Sequence, residues 1–144
     1  MVFCGALTVV VAACGGDDDG EPVIDLGASA IGTCLDFGDT VGADIERLPV
    51  VPCEEQHTHE IFAVVNSAEE TYPGFEALEA EAQAVCLQPF EQYVGVSAFD
   101  SDLFYSWLVP TLTSWEQDDD TEIVCVVGED NAAPLVGSVR GINR

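Results

Sequence analysis

His57-Thr58-His59 sets two imidazoles two residues apart, with Glu54, Glu55 and Glu60 close by in the chain. On an extended backbone His57 and His59 point to one face. Two imidazoles and a carboxylate make a donor set for zinc or copper. A plainer reading competes, in which His57 hydrogen-bonds backbone near a turn at Cys53 and His59 lies on the surface. With 27 acidic residues in the chain, a carboxylate near a histidine is expected by chance. The expectation is therefore no bound metal and no cofactor, with His57 and Glu60 kept as candidate binding residues.

Other chemistries fit less well. Gly95-Val96-Ser97-Ala98-Phe99 opens like a nucleophile elbow, but it lacks the closing glycine and follows a helical segment where that motif needs a strand. A cysteine nucleophile needs a free thiolate beside a histidine, and the cysteines here read as paired. Carboxylate pairs for glycoside hydrolysis could be drawn from so many acids, yet nothing in the sequence outlines a substrate cleft. Asp17-Asp18-Asp19 lacks the alternating ligand spacing of a calcium loop. The expectation is a protein without enzymatic activity. Trp107 and Trp115 flank Pro110-Thr111, and aromatics around a proline-fixed turn can form a recognition surface. The competing reading makes both of them core residues over a sheet.

Charge narrows the partners. The 144 residues carry 27 Asp and Glu against three arginines, Arg47, Arg140 and Arg144, and no lysine, for a net charge of −24. Such a surface repels nucleic-acid phosphates and anionic lipid headgroups. No nucleic-acid partner is expected.

Residues 1–13 are apolar, uncharged and too short to span a bilayer as a helix. They read as the apolar part of a signal peptide whose true start lies further upstream, since no basic residue opens it. Val11-Ala12-Ala13-Cys14 resembles a bacterial lipobox, in which small residues admit the peptidase and the Cys14 thiol takes a lipid. Residues 14–28, rich in Gly and Asp, then form a flexible acidic tether. The expected location is the extracytoplasmic face of the cell membrane, through a lipid anchor at Cys14.

Export implies an oxidising compartment. With Cys4 in the signal and Cys14 lipidated, Cys34, Cys53, Cys86 and Cys125 remain. Four cysteines allow three pairings. Cys86 falls on the apolar face of a helix and Cys125 in the middle of an apolar strand, so a helix packed on that strand joins them and leaves Cys34 for Cys53. No C-x-x-C spacing supports zinc on these four.

The elements that would position these groups occupy residues 29–144. Ile31–Phe37, Leu48–Cys53 and Glu60–Asn66 read as extended, the second as an edge or irregular piece because of Pro49 and Pro52. Phe75–Leu87 reads as a helix with an apolar face of Phe75, Leu78, Ala82, Val85 and Cys86. Pro89 should break or kink it, with Phe90–Val94 a separate short turn stopped by Gly95. Leu103–Leu108 is apolar and aromatic, Asp118–Asp120 reads as a hydrated turn, and Glu122–Val127 is a strong strand. Leu135–Gly141 would add a final edge strand. The order β-β-β-α-β-β before that last piece predicts an α+β fold: a small antiparallel sheet with one main helix on one face, stapled by two disulfides.

Five pieces in order also resemble the septum-formation domain of actinobacterial exported and lipoprotein chains: Gly32-Thr33-Cys34-Leu35; Val51-Pro52-Cys53 with His57 and Glu60; Tyr72-Pro73-Gly74 before the helix; Pro110-Thr111 with Ser114-Trp115; and Pro134-Leu135 with Gly137-Ser138 and Arg140-Gly141. Two positions depart from the pattern: Gln56 stands where the family often has proline, and Asp118-Asp119-Asp120 where it often has Gly-Asp and a basic residue. The resemblance implies an extracytoplasmic domain tied to the cell envelope or division, without established catalytic residues. Its partner would be an unidentified envelope protein or wall component, which the domain binds or scaffolds. The competing expectation is a metal- or ligand-binding lipoprotein of the cell surface.

Overall fold

The computed structural model describes residues 30–38, 50–130 and 133–144. The expected signal, Cys14 and the tether lie outside the described residues. The elements run β1 (Cys34–Leu35), β2 (Val50–Val51), β3 (Gln56–His57), β4 (His59–Asn66), α1 (Phe75–Val94), β5 (Leu103–Leu108), α2 (Leu112–Asp118), β6 (Glu122–Glu129) and β7 (Leu135–Val136). Five strands form one antiparallel sheet in the order β2-β1-β4-β6-β5, and β3 pairs with β7 in a separate two-stranded sheet. The α+β class, the main helix and the two disulfides are as expected.

The β-branched runs of β4 and β6 take the middle of the sheet, where both faces are buried. Along β6, Ile123, Cys125 and Val127 pack with Phe62 and the α1 residues Ala82, Cys86, Phe90 and Val94. Val124 and Val126 pack on the opposite face with Ala30, Leu35 and Ile61. The short β1 and β2 supply the edge expected of the proline-flanked segment. Cys34–Cys53 ties β1 to the loop after β2, and Cys86–Cys125 ties α1 to β6, with Cα separations of 5.3 and 5.7 Å.

Three features differ from the sequence reading. The helix does not end near Pro89 but runs to Val94. Pro89 cannot donate to the carbonyl one turn back, yet Phe90, Tyr93 and Val94 continue the buried stripe of Leu78, Ala82 and Cys86. Burial of that stripe outweighs one missing bond. Gly95 then ends the helix with φ 97°, and Asn143 sits where a β-carbon at Gly95 would fall, 2.5 Å away.

The second difference is α2, which was not expected. It starts on a reciprocal cap in which the Thr111 hydroxyl accepts from Ser114 N–H and Ser114 caps Thr111 in return. Serine in place of the usual Glu or Gln hid that signal. Trp115 is its one buried residue, edge-on to Tyr72 at 5.9 Å. The aspartate triplet straddles the helix end, with Asp119 left-handed at φ 53° and Asp120 accepting from Glu122 N–H. The third is the small β3–β7 sheet: the strand expected over Leu135–Gly141 is confined to Leu135–Val136 and pairs with β3, a two-residue strand with no readable alternation, in a sheet of its own.

Candidate functional site

Two polar side chains are fully buried among the described residues: His57, 1% exposed, and Glu60, 0%. Glu60 sits at the start of β4, opposite Cys34 on β1 and Val127 on β6. Burying a carboxylate is costly unless donors surround it. Three do. The Tyr93 hydroxyl of α1 donates at 2.5 Å, the Ser138 hydroxyl at 2.6 Å and the Val139 N–H at 2.7 Å.

The small sheet aims the last two donors. Leu135 pairs with His57, and Gly137 N–H donates to the Cys53 carbonyl at 2.6 Å, which turns the chain into Ser138 and Val139. The C-terminal segment then crosses the end of α1, with Gly141 and Asn143 N–H donating to the Tyr93 and Val94 carbonyls. Arg140 emerges beside Tyr93, its guanidinium 4.5 Å from the ring centroid. Burial, reinforced by the Glu60 carboxylate, pushes the Tyr93 phenol up to about 12.

Next to this network lies an open pocket of about 360 Å³, lined by Ile31, Phe62, Ala63, Pro89, Gln92, Tyr93 and Arg140. Its floor is apolar, and its charged wall is Arg140. Among the described residues Arg140 has no carboxylate partner, whereas Arg144 is paired with Glu129. A pocket with an apolar floor and a guanidinium held on an aromatic ring is suited to a ligand that is apolar at one end and anionic at the other.

The structure separates the two histidines. Thr58 lies between β3 and β4, so the segment is not one extended strand. His59 stands edge-on to Phe37 at 4.6 Å and rests against Gly128, where an added β-carbon would meet its ring at 3.0 Å. The His57 Nδ1–H donates to the Glu55 carbonyl at 2.9 Å, and its Nε2 is buried without a hydrogen-bond partner. The three-residue group whose donor atoms lie within 4.8 Å of one another is Cys34, His57 and Glu60; His59 is outside it. Trp107 lies against Tyr105, with ring centroids 6.1 Å apart and tilted, while the buried Trp115 stands edge-on to Tyr72.

Burial, helped by the nearby His57, lowers the His59 pKa below 6.5. A lowered folded-state pKa favours neutral imidazole, so the contribution is complete above 6.5 and is lost as pH falls through the folded value. We expect the urea midpoint to fall on acidification just below pH 6.5 and His59→Gln to flatten that segment of the profile. An unchanged slope in the variant would assign the effect to other groups.

Of the site residues, His57 and Glu60 were singled out from the sequence as candidate binding residues; Ser138 and Arg140 entered only as part of the resemblance, and Tyr93 and Val139 not at all. Residues 27–125 match the family described as Septum formation. The chain belongs to the septum formation family. That membership points to a role related to cell division. No curated protein and no solved structure matches the chain. In this septum formation domain, Ser138, Val139 and Arg140 complete the Glu60 network from outside the matched span.

Proposed function

We propose that this septum formation protein is a non-enzymatic, lipid-anchored module on the outer face of the cell membrane, where it binds or scaffolds another component of the dividing envelope. Family membership over residues 27–125 carries the reading. The lipobox-like Val11-Ala12-Ala13-Cys14 and the acidic tether after it support the anchor. The pocket flanked by Arg140 supports a binding role, because the Tyr93 ring holds the guanidinium beside the apolar lining.

The test is the position of a full-length fusion to a fluorescent protein that matures outside the cytoplasm. Enrichment at the septum of dividing cells is the expected result. Even distribution around the membrane would remove the division role. Cys14→Ala should release the protein from the membrane fraction, and retention would remove the anchor. Arg140→Gln should lower septal enrichment severalfold, with the urea midpoint of the variant measured beside it because the guanidinium also lies over the Tyr93 ring. Unaltered enrichment would exclude the pocket as the contact.

A further inference from the structure

The His57 environment is unusual for a structural histidine. Its Nδ1–H is committed to the Glu55 carbonyl, so in the neutral ring Nε2 carries the lone pair. That lone pair is buried with no donor in reach. A histidine fixed through Nδ1 and offering Nε2 is oriented as metal-bound histidines are. In the same cluster are Cys34 Sγ and a Glu60 oxygen, the donor atoms of the three residues lying within 4.8 Å of one another. The Glu60 carboxylate is not saturated, because Oε2 accepts only the Val139 N–H.

In the oxidised protein Cys34 is bonded to Cys53 and is a poor ligand. The two disulfides differ in access. Cys86 and Cys125 are both 0% exposed, while Cys53 is only half-buried in a loop. The Cys34–Cys53 bridge is therefore the more accessible of the two to an attacking thiol.

We propose that reduction of Cys34–Cys53 opens a binding site for a zinc-like divalent cation, with the two thiolates and His57 Nε2 as ligands and Glu60 Oε2 as the fourth. The redox step balances with two equivalents of a thiol: the protein disulfide is reduced to two thiols, and the reagent thiols are oxidised to their own disulfide. Metal binding then forms two metal–sulfur bonds and releases the two thiol protons to solvent. A tetrahedral site with bonds of about 2.0–2.3 Å places ligand atoms roughly 3.3–3.8 Å apart. The present spread of 4.8 Å must contract, which freeing the two cysteine side chains allows. The ion would close again the loop that reduction opens, and the net charge of −24 favours a cation over the unfilled site. This site is independent of the envelope-binding reading above, and either can fail alone.

The experiment uses the folded protein under anaerobic conditions with dithiothreitol, which is removed before cobalt(II) is added. Thiol labelling mapped by peptide should gain two sites on reduction, Cys34 and Cys53, while Cys86 and Cys125 stay unlabelled. Cobalt should then give the intense thiolate-to-metal charge-transfer absorption at one ion per chain. His57→Asn should weaken cobalt binding at least as much as loss of an outer-sphere partner does, about tenfold. Because that variant could unfold, cadmium NMR of the unaltered reduced protein gives a second reading, with a shift expected for two sulfur ligands with nitrogen and oxygen. No charge-transfer band after reduction would overturn the proposal. So would equal cobalt binding by oxidised protein, which would place the ion on surface carboxylates, or an unchanged affinity in a folded His57 variant.

Discussion

Replacing Glu60 with alanine is expected to lower the unfolding free energy by about 4 kcal/mol. The reasoning follows the three donors. The Tyr93 hydroxyl, the Ser138 hydroxyl and the Val139 N–H all converge on one carboxylate, from α1 and from the segment after β7. Each buried donor left without an acceptor costs about 1–3 kcal/mol. Ser138 is exposed enough to recover a water, whereas Tyr93 and Val139 are buried. Loss of the charge refunds some desolvation, but the donors stay fixed by backbone geometry and cannot repack. Glu60→Gln should cost less, because one oxygen survives and only one donor meets an amide N–H₂. Urea unfolding with both disulfides intact measures the effect, and a loss below about 1 kcal/mol would show that water satisfies the donors. The phenol gives a second reading. Without the carboxylate, the Tyr93 titration should move down from about 12 toward 10, yet stop short of it, since burial is the larger cause. Alkaline stability in the intact protein follows the same sign. A raised phenol pKa means that stability is whole below pH 10 and is lost toward pH 12.

The network also shows where sequence reading reached and where it stopped. β4 and β6 were legible because long β-branched runs leave few alternatives, and α1 because its apolar residues recur at helical spacing. α1 and β6 in turn placed Cys86 opposite Cys125, and the remaining pair followed. Pro89 misled because a local penalty was weighed without the burial of Phe90, Tyr93 and Val94 beyond it. α2 escaped notice because its reciprocal cap uses serine where glutamate is usual. Glu60 could be marked as a candidate by type, but its role depends on Tyr93, 33 positions away, and on Ser138 and Val139, 78 and 79 away. No periodicity encodes such a convergence. His57 and His59 show how a conditional reading resolves: they share a face only on one extended strand, and a change of sheet at Thr58 puts them on two, with His57 bonded to backbone.

Removing the second staple, with Cys86 and Cys125 both changed to alanine, is expected to cost about 4 kcal/mol, against about 3 for the pair Cys34 and Cys53. Part of the difference is loop length, with sequence separations of 39 and 19. A longer loop restricts the unfolded chain more. The rest is packing, because Cys86 and Cys125 lie wholly inside the α1-facing core and their sulfurs leave a void there. A measured order reversed from this one would mean that strain in the α1–β6 bridge offsets its entropy. The position of Cys86 adds a local consequence. It pins α1 three residues before Pro89, where the helix lacks a backbone bond. Beyond that point Phe90, Tyr93 and Val94 carry the helix by side-chain burial, and Tyr93 carries the Glu60 bond. Amide exchange in the double variant should therefore quicken more over residues 90–94 than over residues 78–82. A uniform increase along α1 would show that the helix opens as one unit, and that the bridge acts on the whole helix rather than on the turn that holds Tyr93.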